Sequence, residues 1–263
     1  MVIAARVSRL SKIEPLREEY RAEMNCQIVH DSIHHRPGWT REYALESDGA
    51  TVGYGSVAIA GPWRETPALY EFYVQSRHRT QTFDLFASLL PVCGAAIIET
   101  QSNAPMLTVM LHTFARNIRT ESILFRDAFQ TSLAPAGAEF RAATAQDTEV
   151  LEQQGLDEGA GWLVTFNGAI AGAGDVLYHY NPPYGDIYMA VAEPFRRKGL
   201  GAFLVQELKA ICRAGGKVPA ARCNVGNLAS RRTLQRSGFV PCGNILAGDL
   251  VPLRLMDVSE PRA

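Results

Sequence analysis

The stretch VAEPFRRKGLGAFLVQELKAICRAGG, from Val191 to Gly216, joins a strand-like run to a helix signature. Leu200, Leu204, Val205, Leu208, Ile211 and Cys212 recur at the spacing of one apolar helix face, and Gly215-Gly216 supplies a stop. Gly199 and Gly201 therefore fall where a strand turns into the first turn of a helix. Backbone N–H groups at a helix start lack partners within the helix and bind anions, and glycines let a diphosphate approach the backbone. Arg196, Arg197 and Lys198 add positive charge where the helix dipole already favours an anion. These residues point to a pyrophosphate site. A helix cap with a solvated basic turn accounts for the glycine pair equally well.

Upstream, NGAIAGAGDV (Asn167–Val176) also carries two spaced glycines, Gly172 and Gly174. No helix signature follows them, so they are not a nucleotide loop. Asn167-Gly168 between apolar-rich segments marks a hairpin from Gly161–Phe166 into Ala169–Tyr178, and the glycines mark a bulge or a close backbone approach in the returning strand. DGATVGYGSV (Asp48–Val57) repeats the pattern in register, predicting a matching hairpin from Arg41–Ser47 into Ala50–Ala60. Further on, Leu69–Phe86 parallels Asp186–Phe203, with Val74 against Val191 and Arg79 against Arg196. The chain thus reads as two copies of one unit, over residues 1–133 and 139–263, joined by the small-residue linker SLAPAGAEF (Ser132–Phe140). Each copy opens on a capping-box spacing, Ser11 to Glu14 and Thr144 to Asp147.

A chain of 263 residues suits two domains of about 130 each. The segment MVIAARVSRL has no apolar core of signal-peptide length, and the apolar run Phe86–Ile98 falls short of the roughly 20 residues of a membrane span. No membrane partner is expected. Five scattered cysteines without a CxxC pair read as reduced thiols in a cytoplasmic protein. A net charge of −1 argues against a nucleic-acid surface. The charge is nevertheless polarised: nine acids against one base from Glu139 to Glu193, then ten bases against one acid from Arg196 to Arg236. His30 and His34 sit four apart, followed by His35, but with no third ligand at a recognisable spacing no metal site is expected and HDSIHHRPGW reads as a loop.

Arg196-x-x-Gly199-x-Gly201 resembles the acyl-CoA pyrophosphate motif of the GNAT N-acetyltransferase superfamily, and NLASRRTLQRSGFV (Asn227–Val240) resembles its closing element. The resemblance spans about Glu139 to Asp249. It implies an α/β (α+β) fold of two GNAT-like units, each a mixed, mainly antiparallel sheet flanked by helices, with acetyl-CoA as the acyl donor. By the same resemblance Met189, Ala190 and Val191 would contact the pantetheine arm and the acyl carbonyl through main chain. Arg196, Arg197, Lys198, Gly199, Leu200, Gly201 and Ala202 would hold the pyrophosphate, and Asn227 and Ser230 would approach the cofactor. Arg231 and Arg232 would reach the ribose phosphate.

The implied activity is transfer of an acetyl group to a primary amine, the acceptor being a small molecule or a peptide. Many relatives place a Tyr general acid seven residues after the closing Asn, where this chain has Leu234. Cys223, Ser230, Ser237 or Tyr188 are the substitutes for the acid; Asp186 and Tyr188 are the candidates for the base, although Asp186 also reads as an ordinary strand-start residue. A catalytically silent CoA-binding or regulatory protein is the alternative. In the first copy Thr82 and Asp84 stand against Gly199 and Gly201, so that unit is expected to have lost the cofactor. It would pack against the active unit, shape the acceptor site or form a homodimer surface.

Overall fold

The computed structural model describes residues 2–27 and 31–251, and His30 of the histidine-rich stretch lies outside them. Two compact units emerge: one runs to Glu121 and resumes at Asn244, and the other is Ser122–Gly243. The chain passes from the first to the second within β6 (Ala115–Asp127) and returns within β12 (Phe239–Leu250). These limits differ from the boundaries at 133 and 139. The strand after Asn244 carries no composition shift, and only its pairing with β5 (Ile97–Gln101), Ile245 opposite Gln101 through Asp249 opposite Ile97, assigns it to the first unit.

The first unit comprises β1 (Ile3–Ser8), α1 (Leu10–Met24), β2 (Thr40–Ser47), β3 (Ala50–Ala58), β4 (Ala68–Val74), α2 (Thr82–Cys93), β5 and α3 (Pro105–Phe114). Strands β1 to β5 lie in chain order, antiparallel up to β4, with β5 parallel to β4. Tyr43, Leu45, Phe72, Phe86, Leu89 and Phe114 are among its core. Ser11 does not cap α1: the helix already begins at Leu10, and Glu14 binds Arg17 and Arg21 instead. A second buried cluster is charged. Glu71 of β4 receives Arg17 Nε at 3.2 Å and the Tyr54 hydroxyl at 3.0 Å. His34 lies between Glu42, 3.0 Å from its Nδ1, and Glu71, 3.2 Å from its Nε2. Burial opposes the charge on His34, but Glu71 and Glu42 outweigh it and lift its pKa to about 9. Burial likewise opposes the Glu71 carboxylate, and Arg17 and His34 hold it below the usual carboxylate range.

The second unit repeats the order: β7 (Ala138–Ala142), α4 (Thr148–Gln153), β8 (Trp162–Phe166), β9 (Ala169–Leu177), β10 (Tyr184–Val191), α5 (Leu200–Ala214), β11 (Val218–Asn224) and α6 (Leu228–Arg236). Its Thr144–Asp147 capping box is formed. The two hairpins match in detail. Val164 pairs with Gly172 and Thr165 with Ile170, leaving Ala171 as a bulge, just as Leu45 pairs with Gly53 and Glu46 with Thr51 around Val52. The bulges account for the repeated glycine pairs. A Cβ at Gly172 would stand 2.7 Å from the Ala190 carbonyl oxygen, and one at Gly53 would stand 2.3 Å from that of Tyr73.

The segment SLAPAGAEF does not run free. Gln206 of α5 accepts from Leu133 N at 2.6 Å and from Thr131 Oγ1 at 2.8 Å, while buried Lys209 donates to Phe129 O at 2.8 Å and Ser237 O at 2.6 Å. No described helix is long and apolar enough to cross a membrane, and all five cysteines are free thiols.

Candidate active site

The centre of the second unit is an incomplete strand pairing. β10 pairs with β11 in parallel only at Tyr184, Gly185 and Asp186, whereas it pairs with β9 along Asp186–Val191. Beyond Asp186 its outer edge is open. The Ala192 N–H donates to Ala171 O on the β9 side, and the Ala190 and Tyr188 carbonyls also face β9. Backbone direction alternates along a strand, so Met189 and Val191 aim their polar groups at the opening. The backbone of Ala190, expected to meet the acyl carbonyl, is directed to β9 instead. The Val191 carbonyl accepts Arg196 Nε at 3.1 Å, which ties the end of β10 to the following turn.

That turn ends at α5. Arg197 (φ 62°) and Gly199 (φ 82°) bend it through the left-handed region, and Gly199, the N-cap, has no side chain to satisfy the first N–H groups of the helix. The N–H groups of Leu200, Gly201 and Ala202 precede the first intrahelical bonds. A Cβ at Gly201 would meet Thr233 Cγ2, Val191 Cγ2 and Met189 Sδ at 3.3 to 3.5 Å, so the side-chain face of Gly201 lies toward α6 and the end of β10. Arg197 is exposed, while Lys198 lays its ammonium over Phe166 and Phe195, 4.7 and 5.5 Å from the ring centroids. Asn227 caps α6 by accepting from Ser230 N at 2.9 Å, and Arg231 donates to Val225 O at 2.7 Å.

A cavity of about 210 Å³ occupies the opening, lined by Leu177, His179, Asp186, Ile187, Tyr188, Met189, Arg222, Ser230 and Leu234. Ile187 and Met189 face α5 and α6 with the apolar core, and Asp186 and Tyr188 alternate with them on the opposite face. Arg222 of β11 shares the polar face, since its neighbours Ala221 and Cys223 belong to the core. The cavity therefore reaches both faces of the sheet where β10 and β11 part.

Its polar face is charged. Asp186 is buried, with Oδ2 lying 2.8 Å from His179 Nε2 and 3.7 Å from Arg222 Nε. The Tyr188 hydroxyl donates to Asp157 on the exposed loop after α4. Burial and that bond push the phenol above its ordinary range, and the same bond lowers Asp157. The Tyr188 hydroxyl thus keeps its proton directed at Asp157. Leu234 brings no proton to the cavity wall. Ser237 is fully buried with its hydroxyl on Leu234 O, and burial raises the Cys223 thiol. The sequence reading missed the joining of His179 and Arg222 to Asp186. The hairpin register holds the first signal, since Leu177 lies opposite Asp186 and His179 is two residues on. The second needs the β10–β11 pairing, with Asp186 opposite Ala220 and Arg222 two residues on.

Residues 125–239 match the family described as "Acetyltransferase (GNAT) family". The second unit is a GNAT domain. Solved structures place the whole chain among GNAT folds. A GNAT-family acetyltransferase from Colwellia psychrerythraea is 15% identical with a TM-score of 0.72, over 95% of this chain and 100% of its own. A tandem GNAT protein from the clavulanic acid biosynthesis pathway is 13% identical with a TM-score of 0.62, over 95% and 99%. A GCN5-related N-acetyltransferase from Sphaerobacter thermophilus is 16% identical with a TM-score of 0.57, over 95% and 96%. No curated protein sequence matches the chain significantly. In the GNAT domain, the strand opening and the uncapped start of α5 are the features with which an acyl-CoA would have to agree. They fit one: among the described residues, the Met189 backbone groups and the Val191 N–H face the opening for an amide-bearing arm, and the N–H groups of Leu200–Ala202 precede the helix bonds for a diphosphate.

Proposed function

We propose that the GNAT domain transfers an acetyl group from acetyl-CoA to a primary amine, both being bound at once. The observation that carries the proposal is the early parting of β10 from β11 beside the uncapped start of α5. Met189 and Val191 would hold the pantetheine arm. The N–H groups of Leu200, Gly201 and Ala202 would hold the pyrophosphate, with Arg196 fixing the turn and Arg197 adding charge. Acetyl-CoA supplies the acetyl thioester and leaves as the thiol.

The polar face of the cavity supports the amine side of the reaction. Asp186, oriented by His179, would take the ammonium proton, and Tyr188 on the same face would help to wall the acceptor side, its hydroxyl bonded to Asp157. Positioning two reactants together contributes several kcal/mol of the barrier reduction. A thiol with a reference pKa of about 8.5 leaves without an obligatory acid, which suits Leu234 at the usual Tyr position.

The first unit would be a copy without cofactor. What supports this is the strand-to-helix turn, which is coiled as a 3-10 helix at Ser76–Gln81 and puts Asp84 in the first turn of α2. The turn from β4 to α2 is also shorter than that from β10 to α5, so the hairpin register that set Asp84 against Gly201 does not run through it unchanged.

Calorimetry with acetyl-CoA tests the donor. Wild type should bind, gaining about 2.7 kcal/mol of stability at about 100 times Kd. A Cβ at Gly199 would meet nothing nearer than 3.8 Å, so Gly199→Asp and Gly199→Asn differ mainly in charge. Weaker binding for Asp than for Asn is expected, and equal binding would remove the phosphate from this site. Thiol release over a broad amine panel then separates an enzyme from a silent binder.

A further inference from the structure

We infer that the acceptor carries a carboxylate next to its amine, as an α-amino acid does, and that Arg222 selects it; this rests on the acetyl-transfer proposal above. Asp186 is buried and has His179 Nε2 at 2.8 Å. Arg222 is its cationic neighbour, with Nε 3.7 Å from Oδ2 and a side chain one-third exposed. Among the described residues its two terminal nitrogens have no hydrogen-bond partner; the guanidinium carbon lies 5.9 Å from the Tyr180 ring centroid, and Arg222 lines the same cavity. A guanidinium fork presented in this way matches a carboxylate.

The charges decide between acceptor classes. Asp186 and Arg222 set one negative and one positive group side by side on the polar face, so a polyamine that placed one ammonium at Asp186 would bring another against Arg222. A zwitterion matches both ends, its ammonium toward Asp186 and its carboxylate toward Arg222. Size agrees: about 210 Å³ lies below the roughly 300 Å³ at which drug-sized pockets begin.

The test compares the common L-amino acids with amines of the same side chains lacking the carboxylate, such as leucine with isoamylamine and lysine with cadaverine. Thiol release is read at saturating acetyl-CoA for wild type, Arg222→Gln and Arg222→Lys. Wild type should prefer at least one amino acid over its amine by about tenfold or more in kcat/KM. Arg222→Gln should lower kcat/KM for that amino acid by about tenfold more than for its amine, so that the preference disappears, and Arg222→Lys should restore part of the difference. Wild-type preference for the amines, no turnover of any amino acid, or an equal loss on both series in Arg222→Gln would each overturn the inference while acetyl-CoA binding stood. Absence of acetyl-CoA binding in calorimetry would instead overturn the donor proposal, and this inference with it.

Discussion

A methyl group at Gly174 of β9 would stand 2.4 Å from the carbonyl oxygen of Tyr188 and 3.0 Å from Leu208 Cδ1. The obstacle is backbone, so it cannot swing away. Gly174→Ala should push β9 off β10, with a cost of about 1–3 kcal/mol. Thermal unfolding should show a Tm several degrees lower than for Gly159→Ala, where the nearest atom is a side-chain oxygen at 3.4 Å.

The buried charges of the first unit predict a pH dependence. His34, with a pKa of about 9 against an unfolded value of about 6.5, contributes stability in full below pH 6.5 and loses it as pH rises through 9. Urea midpoints should fall across that window, and His34→Gln should flatten the slope. Glu71→Gln would leave Arg17 and His34 short of their shared counter-ion and should cost about 3–5 kcal/mol at neutral pH.

Asp186→Asn keeps the shape of the side chain and removes its charge. Under the proposed chemistry, kcat for the best amine should fall by about 100-fold or more, with the acetyl-CoA Kd within a factor of about three. Calorimetry beside thiol release checks both halves. Tyr188→Phe should cost less, because its proton already rests on a bond to Asp157 outside the cavity.

Lys209 is 1% exposed and joins Phe129, Ser237 and Asp127. Lys209→Met should strand the Phe129 and Ser237 carbonyls, at about 1–3 kcal/mol for each one left unsatisfied, while Asp127 keeps Arg213. Residues 128–133 should then be cut faster in limited proteolysis, while the wild-type segment resists.

These features were unequally visible in the sequence. Hairpin turns, glycine pairs and the α5 stripe are local patterns, and each became the element it suggested. The Ser11 box failed because a helix already running from Leu10 leaves Ser11 no cap position. Spacing marks Gly201 as a place without a side chain, but only the fold shows that Thr233, Val191 and Met189 stand over it. The cluster of His179, Asp186 and Arg222 depends on register across three strands, which no single window of sequence contains.

The return of the chain at Asn244 also bears on how the protein is made. The first unit leaves the ribosome first, yet one side of β5 gains its neighbour only when Ile245–Asp249 have been synthesised. Until then Ile97–Gln101 is a strand edge with open backbone groups, the kind that other chains can join. The unit translated first is therefore the last to be finished, and nascent chains stalled between Gln101 and Ile245 are the ones that would need a chaperone.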